Sequence, residues 1–509
     1  MNCAGCSPAA DSCGLCTERM EFHSQSDDAG AVGVLAAPAA VEVKSAIGNR
    51  QSAMPVTDEV PRSKNFTSTR NACKLCTPLG ACLVYRGVEG CIPFLHGSQG
   101  CSTYIRRYLI SHFREPMDIA SSNFHEDAAI FGGSKNFSQG ALNITRQYQP
   151  QLIGAATTCL TETIGEDMPR LLHELREQHG NAAAPIVQVS TPSYRGTHID
   201  GFHDAVKALV EQLGKAEGEP TGAVNLFPGM VSAADLRLLK EILADFGLNY
   251  TLLPDYSESM DGETWSEYEK IQSGGTQISA IAATGSAKAS IEFGRVLEGN
   301  ETAGTTLTKK FNVKRHLLGM PIGIRETDAF MNVLTTLSGN EIPVKYQRER
   351  GRLVDSLIDG HKYIFEKRAI VYGDEDLVIG LTAFLCEIGV TPVLCATGAR
   401  SGKFASSLRD IVPNLPEVTL IKEDLDFAET AEVAPELKPD FLIGSSKGYK
   451  ISRSLNVPLI RVGFPIHDRI GGQRVLHLGY RGAQELYDHI VNALLEAKQD
   501  HSTIAYNYL

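Results

Sequence analysis

The sequence predicts an α/β protein built on parallel sheets, in three successive blocks behind an irregular, cysteine-bearing extension. Three observations carry this. From Asn71 onward, short apolar runs alternate with amphipathic stretches of helical period, an order that gives parallel strands with helices on both faces. The length, 509 residues, suits about three domains at 100–200 residues each. The Ala-, Ser-, Gly- and Asp-rich segment before Asn71 shows neither a helical nor a strand period. The divisions read this way are 1–68 for the extension, then blocks 69–215, 216–340 and 341–509, the last including the C-terminal tail.

Taken in order, PQLIGAAT reads as a buried strand and MPRLLHELREQHG as the helix after it. APIVQVST and FHDAVKALVEQLG repeat the pair. In the second block AVNLFP is a strand, AADLRLLKEILADFG a helix with apolar positions three to four apart and a terminal Gly, and NYTLLPD the next strand. RAIVYG, EDLVIGLTAFLCEIG and TPVLCATG form a strand–helix–strand unit in the third. DFLIGSS, VPLIRVG and the helix AQELYDHIVNALLEAK complete it.

Composition narrows the function classes. Hydrophobic residues make up 43% and charged residues 21%, enough to bury a large core. With 48 basic and 60 acidic side chains the net charge is −12, which argues against general nucleic-acid binding. No apolar run approaches the roughly 18 residues of a membrane span. MNCAGCSPAADSCGLC lacks the basic and apolar regions of a signal peptide, so the chain is expected in the cytoplasm. Twelve cysteines in a reducing compartment point to ligands rather than disulfides.

The main constellation is Cys76, Cys101 and Cys159, in CTPLGAC, HGSQGCSTY and TTCLTETIGED. Each is placed in a Gly-, Ser- or Thr-rich turn outside any amphipathic helix. Small neighbours leave room for a bulky inorganic cluster and bring backbone N–H groups to its sulfides. Thiolates are the soft ligands iron–sulfur clusters prefer. Three fall one short of the usual four, so further ligation must come from elsewhere, most naturally a partner chain. The alternative is three buried structural cysteines.

The stretch CTPLGACLVYRGVEGCIPFLHGSQGCSTYIRRYLISHFREP resembles β-type subunits of the nitrogenase component 1 family. SSNFHEDAAIFGGSKNF, ATTCLTETIGEDM, TPSYRGTHIDGFHDA and PLIRVGFPIHDRIGGQRVLHLGYRGA continue the resemblance, from about Asn71 to about Ala493. It implies three Rossmann-like domains and pairing with a homologous α-type chain in an α2β2 heterotetramer. Positions matching Cys76, Cys101 and Cys159 ligate a P-type [8Fe-7S] cluster, the α-type chain supplying the other three cysteines. Ser193, in TPSY, matches a position that adds an oxygen ligand on oxidation. The α-type Cys and His motifs that hold the larger iron–sulfur cofactor have no match here, so no catalytic residue is expected on this chain. Its implied task is to relay electrons from an ATP-dependent iron–sulfur reductase.

Within the family, Cys159 separates the sequence from assembly-scaffold β chains, which generally lack that cysteine. The segment NLFPGMVSAADLRLLKEILADFGLNYTLLPDYSESMDG is nonetheless similar to scaffold chains. NACKLCTPLGAC, with extra thiols at Cys73 and Cys82, and STYIRRYLISHF resemble the nitrogenase-like group that includes methylthio-alkane reductases. Those cleave C–S bonds of small thioethers. That assignment is favoured over an N2-reducing β chain and over a scaffold.

Secondary signals are weighed against plain structural roles. Cys3, Cys6, Cys13 and Cys16 have metal-ligand spacing, although the spacer is shorter than in common zinc ribbons; reactive thiols of a tail are the alternative. GARSGKF (398–404) lacks the spacing of a phosphate loop and reads as a strand-to-helix connection. Arg106, Arg107 and HFREP suit a subunit contact or donor docking, or simply a solvated face. His96 is expected to orient the cluster loop through hydrogen bonds, or to be a satisfied structural histidine. Glu162, Glu166 and Asp167 are assigned to a helix start, and Cys386 and Cys395 to the core.

Overall fold

The computed structural model describes residues 71–216 and 221–502. Its strands form three parallel sheets, each contiguous in sequence. The first contains β1 (Cys91–His96), β2 (Ala120–Ser121), β3 (Leu152–Thr157) and β4 (Ile186–Val189), in the order β2-β1-β3-β4. The second contains β5 (Val224–Phe227), β6 (Tyr250–Leu252), β7 (Ala289–Phe293) and β8 (Lys314–Leu318), in the order β6-β5-β7-β8. The third contains β9 (Arg368–Gly373), β10 (Thr391–Thr397), β11 (Leu420–Lys422), β12 (Phe441–Gly444) and β13 (Leu459–Arg461), in the order β11-β10-β9-β12-β13. The α/β reading therefore holds, and every strand and helix quoted above is present.

Sequence reading missed several strands for local reasons. β1 contains Pro93 yet is hydrogen-bonded on both sides, a place where proline normally argues against a strand. β8, KRHLL, is a half-exposed edge strand whose polar start hides its period.

Local chemistry fixes the helix starts. Ser232 and Asp235 form a capping box on the helix Ala233–Asp245, and Thr197 and Asp200 form one on His198–Leu213. Asp167 caps Met168–His179 through the Arg170 N–H. One continuous apolar cluster runs through all three sheets, from Leu83 and Phe202 through Leu226 and Ile291 to Val371 and Ile443. Smaller clusters back the first and third sheets, around Phe94 and Phe137 and around Ile370 and Leu394. Among the described residues no helix is long and apolar enough to cross a membrane.

The wholly buried helix Thr77–Arg86 crosses His198–Leu213 without intervening side chains. A Cβ on Gly80 would lie 1.8 Å from the His198 carbonyl oxygen, and one on Gly201 would lie 2.0 Å from that of Thr77. Only glycine fits either position. Gly201→Val is expected to cost about 1–3 kcal/mol as the helices are forced apart. A fall in the thermal unfolding midpoint checks this.

Candidate cluster-binding site

From β1 the chain runs out to β2 on one side, then returns to place β3 on the other. The carboxyl ends of β1 and β3 thus flank a topological switch point, where open α/β sheets bind their ligands. Two of the three cysteines follow these strand ends. Beyond β1, Ser98 is the N-cap of the helix Gln99–Phe113, and Cys101 lies in its first turn. Beyond β3, Thr158 is the N-cap of Cys159–Thr163, which begins with Cys159. Cys76 is itself the N-cap of Thr77–Arg86.

The expectation that these cysteines sit in turns outside helices is thereby corrected. The small residues that suggested turns are the caps and first-turn residues of helices. At such positions the first backbone N–H groups lack the i−4 acceptor of a helix interior and suit an anion.

Hydrogen bonds join the three segments. The Ser193 N–H donates to Cys159 Sγ at 3.2 Å, while Ser193 Oγ accepts the Thr77 N–H, also at 3.2 Å. Ser193 therefore bridges Cys159 to the residue beside Cys76. The Cys101 loop joins through the strand ends: the Thr158 N–H donates to the His96 carbonyl at 3.2 Å, as does Thr161 Oγ1 at 3.0 Å. A Cβ on Gly97 would lie 2.1 Å from Thr158 Oγ1, so the loop closes there only with glycine. Ser98 Oγ lies 3.6 Å from Cys101 Sγ.

Exposure sets two of these thiols apart. Cys76 and Cys159 are exposed and Cys101 is half-buried, whereas Cys82, Cys91 and Cys395 are buried. Burial pushes the Cys395 thiol up to about 12. The alternative of three buried structural cysteines does not describe this arrangement. Cys395 meets Thr382 Oγ1 at 3.3 Å within the core, and burial likewise raises half-buried Cys386 to about 11. Both fit the packing role assigned to them.

The donor set suits an iron–sulfur cluster completed from outside. It offers three soft thiols, and space beside Cys101 is open: a Cβ on Gly100 would meet nothing closer than Ser98 Oγ at 4.0 Å. Among the described residues no three His, Cys, Asp or Glu side chains converge on a single metal ion. The Cys101 and Cys159 segments and the Ser193 loop carry exposed apolar side chains: Tyr104 after Cys101, Leu160 and Ile164 after Cys159, and Tyr194 beside Ser193. Cys3, Cys6, Cys13 and Cys16 lie outside the described residues.

The surrounding polar groups support the loops. Buried His96 places Nδ1 3.0 Å from Ser122 Oγ, which accepts the Gly97 N–H at 3.0 Å, so His96 orients the loop as expected. Desolvation pulls its imidazole down to about 4, leaving it neutral. Glu166 accepts the Gly133 N–H, and Glu162 accepts from Thr157 and Ser190, tying β3 to the loop after β4. Arg106 Nε donates to the Met117 carbonyl at 2.7 Å. GARSGKF connects β10 to the helix Phe404–Ile411, with Lys403 bound to the Glu298 carbonyl and Asn300.

A polar group behind Cys76 escaped sequence reading. His198 Nε2 lies 3.4 Å from Asp374 Oδ1, and a cavity of about 40 Å³ is lined by Cys73, Asp200, His203, Asp374, Glu375 and Asp376. Desolvation pulls His198 down to about 3 and pushes Asp374 up to about 7, with Asp200 adding to the latter and Lys447 opposing it. No motif marks this group, because its members come from segments far apart in sequence. Below the unfolded value of 3.8 the raised Asp374 carboxyl contributes stability that is lost as pH rises through about 7. Asp374→Asn should therefore gain stability relative to the wild type as pH rises across that window. Urea midpoints measured at about pH 5 and about pH 8 check the trend.

Fold and site together define a parallel α/β protein that presents three thiols at helix starts, two of them exposed and one half-buried. The chain belongs to the nitrogenase component 1 type oxidoreductase family, whose description matches residues 76–495, and it is an oxidoreductase subunit of that family. It is 35% identical over 428 residues to a nitrogenase molybdenum-iron protein beta chain of Clostridium pasteurianum, covering 84% of this chain and 93% of that one. A nitrogenase vanadium-iron protein beta chain of Trichormus variabilis is 36% identical over 445 residues, covering 84% and 95%. The solved structure of nitrogenase Cp1 at pH 6.5 superposes with a TM-score of 0.85 at 33% identity, covering 89% of this chain and 98% of that chain.

Proposed function

We propose that this chain is the β-type, electron-relaying subunit of a nitrogenase-like reductase. The observation that carries the reading is the exposure of Cys76 and Cys159 at helix starts, bridged through Ser193. Cys76, Cys101 and Cys159 would hold one half of a P-type [8Fe-7S] cluster, with an α-type partner supplying the remaining cysteines. Such a cluster, when bound, supplies storage and transfer of electrons at low potential. Tyr104, Leu160, Ile164 and Tyr194 form the apolar rim that the partner would cover, in an α2β2 heterotetramer. Ile130 and Phe131, 73% and 84% exposed, offer an apolar anchor for an ATP-dependent iron–sulfur reductase.

Ser193, whose Oγ accepts the Thr77 N–H beside Cys76, would add an oxygen ligand when the cluster is oxidised. The substrate site and larger iron–sulfur cofactor belong, in this reading, to the α-type partner. The proposed domain divisions at 69–215, 216–340 and 341–509 follow the three sheets.

For the overall reaction we propose reductive C–S cleavage of methylthio-alkanes. Dimethyl sulfide would take two electrons and two protons to give methane and methanethiol. The resemblance of NACKLCTPLGAC and STYIRRYLISHF to that group supports it. N2 reduction is the second reading, favoured by the names of the curated relatives.

Cys76→Ala, Cys101→Ala and Cys159→Ala are each expected to lose iron and reductase activity. Full iron in all three would place the cluster elsewhere. For the native complex with its reductase and ATP, gas chromatography should show methane from dimethyl sulfide without ammonia from N2. Ammonia would establish the second reading, and bound iron without turnover of either substrate would point to an assembly scaffold.

A further inference from the structure

The segment leading to Cys76 is anchored to the loops of the third sheet. It pairs Ala72 with Asp426 in an isolated bridge, and the Cys73 N–H donates to the Leu425 carbonyl at 3.3 Å. Lys74 pairs with Asp424 at 3.3 Å. Lys447 completes the clamp, its Nζ donating to the carbonyls of Ala72 at 3.0 Å and Lys74 at 3.5 Å.

Lys447 is unusual in its charge balance. It lies in the turn Ser446–Gly448 directly after β12, at the switch point between β9 and β12. The side chain is half-buried, and among the described residues its hydrogen-bond partners are the two neutral carbonyls. Desolvation pulls the ammonium below the usual lysine range, while Cys73, Asp374 and Cys76 favour its charged form. Of these groups, Cys73 is held protonated near 12 by burial, while Asp374, pushed up to about 7, carries a negative charge only above that pH. The imidazole beside Asp374, His198, is neutral. A partly desolvated ammonium is costly unless a negative charge compensates it, and Lys447, held on the carbonyls of Ala72 and Lys74, sits beside the one group there that becomes permanently charged on ligation, the Cys76 thiolate.

We propose that Lys447 is a positioning residue that supplies the counter-charge for the cluster on the Cys76 side, favouring its reduced state. This rests on the cluster reading above. An added electron lowers the charge of the site by one, so a fixed cation nearby makes reduction easier and the midpoint potential higher.

The test is a potentiometric titration of the anaerobic native complex, followed by electron paramagnetic resonance, with iron content measured on the same samples. Lys447→Met removes charge and hydrogen bonds together. Lys447→Gln keeps an N–H donor without the charge, and Lys447→Arg keeps the charge. Expected are full iron in all three, a midpoint lowered in Met and Gln by at least tenfold in the one-electron equilibrium, about 59 mV, and a near-native midpoint in Arg. An unchanged midpoint in iron-replete Met and Gln variants would overturn the proposal. So would loss of iron in both, because the residue would then serve only as a clamp. Absence of iron from the wild-type complex would instead defeat the cluster reading itself.

Discussion

Where the helix Thr77–Arg86 crosses the helix His198–Leu213, no side chain separates the two backbones. Gly80 and Gly201 allow this approach, and each places the other helix's main chain where a Cβ would have to be. The crossing sets the height at which Cys76 leaves its helix start. It also brings the loop after β4 close enough for Ser193 to accept from Thr77 while donating to Cys159. A small widening would break the bridge before disturbing the sheet. The geometry of the thiols is thus inherited from a packing contact inside the protein.

The site combines two general properties of parallel α/β architecture. Carboxyl ends of strands collect loops on one edge of the sheet, and helices begin there with unpaired N–H groups. The cysteines occupy those helix starts, and polar groups hydrogen-bonded to the loops lie in the layer behind them. His96 is uncharged, and Glu162 and Glu166 are occupied by hydroxyl and backbone donors. Apolar exposure on the Cys101 and Cys159 segments and the Ser193 loop completes a surface suited to a second protein.

Much of this was legible in the sequence, and the divisions are instructive. Strands and helices with a clear period, such as AVNLFP and AADLRLLKEILADFG, were read directly because one buried face fixes the pattern. β1 was concealed by Pro93 and β8 by its exposed edge position. The three cysteines stand out by their small neighbours, which in sequence look like turn residues and in the structure are helix caps and first-turn residues. Ser193 entered only through resemblance, since nothing local distinguishes it from any loop serine. His198, Asp374 and Lys447 were invisible. Their association depends on how the first and third sheets pack, which no short window of sequence encodes.

The clamp on the segment before Cys76 bears on modularity. By sequence, this cysteine introduces the first sheet's block. By contact, its lead-in segment is anchored to the loops of the third, through Asp424, Leu425, Asp426 and Lys447. The repeated α/β units are therefore not interchangeable parts. A first block excised or transplanted alone would carry the cysteine codons but not the scaffold that aims Cys76. Recombination among relatives would have to exchange the first and third blocks together to keep the ligand in place.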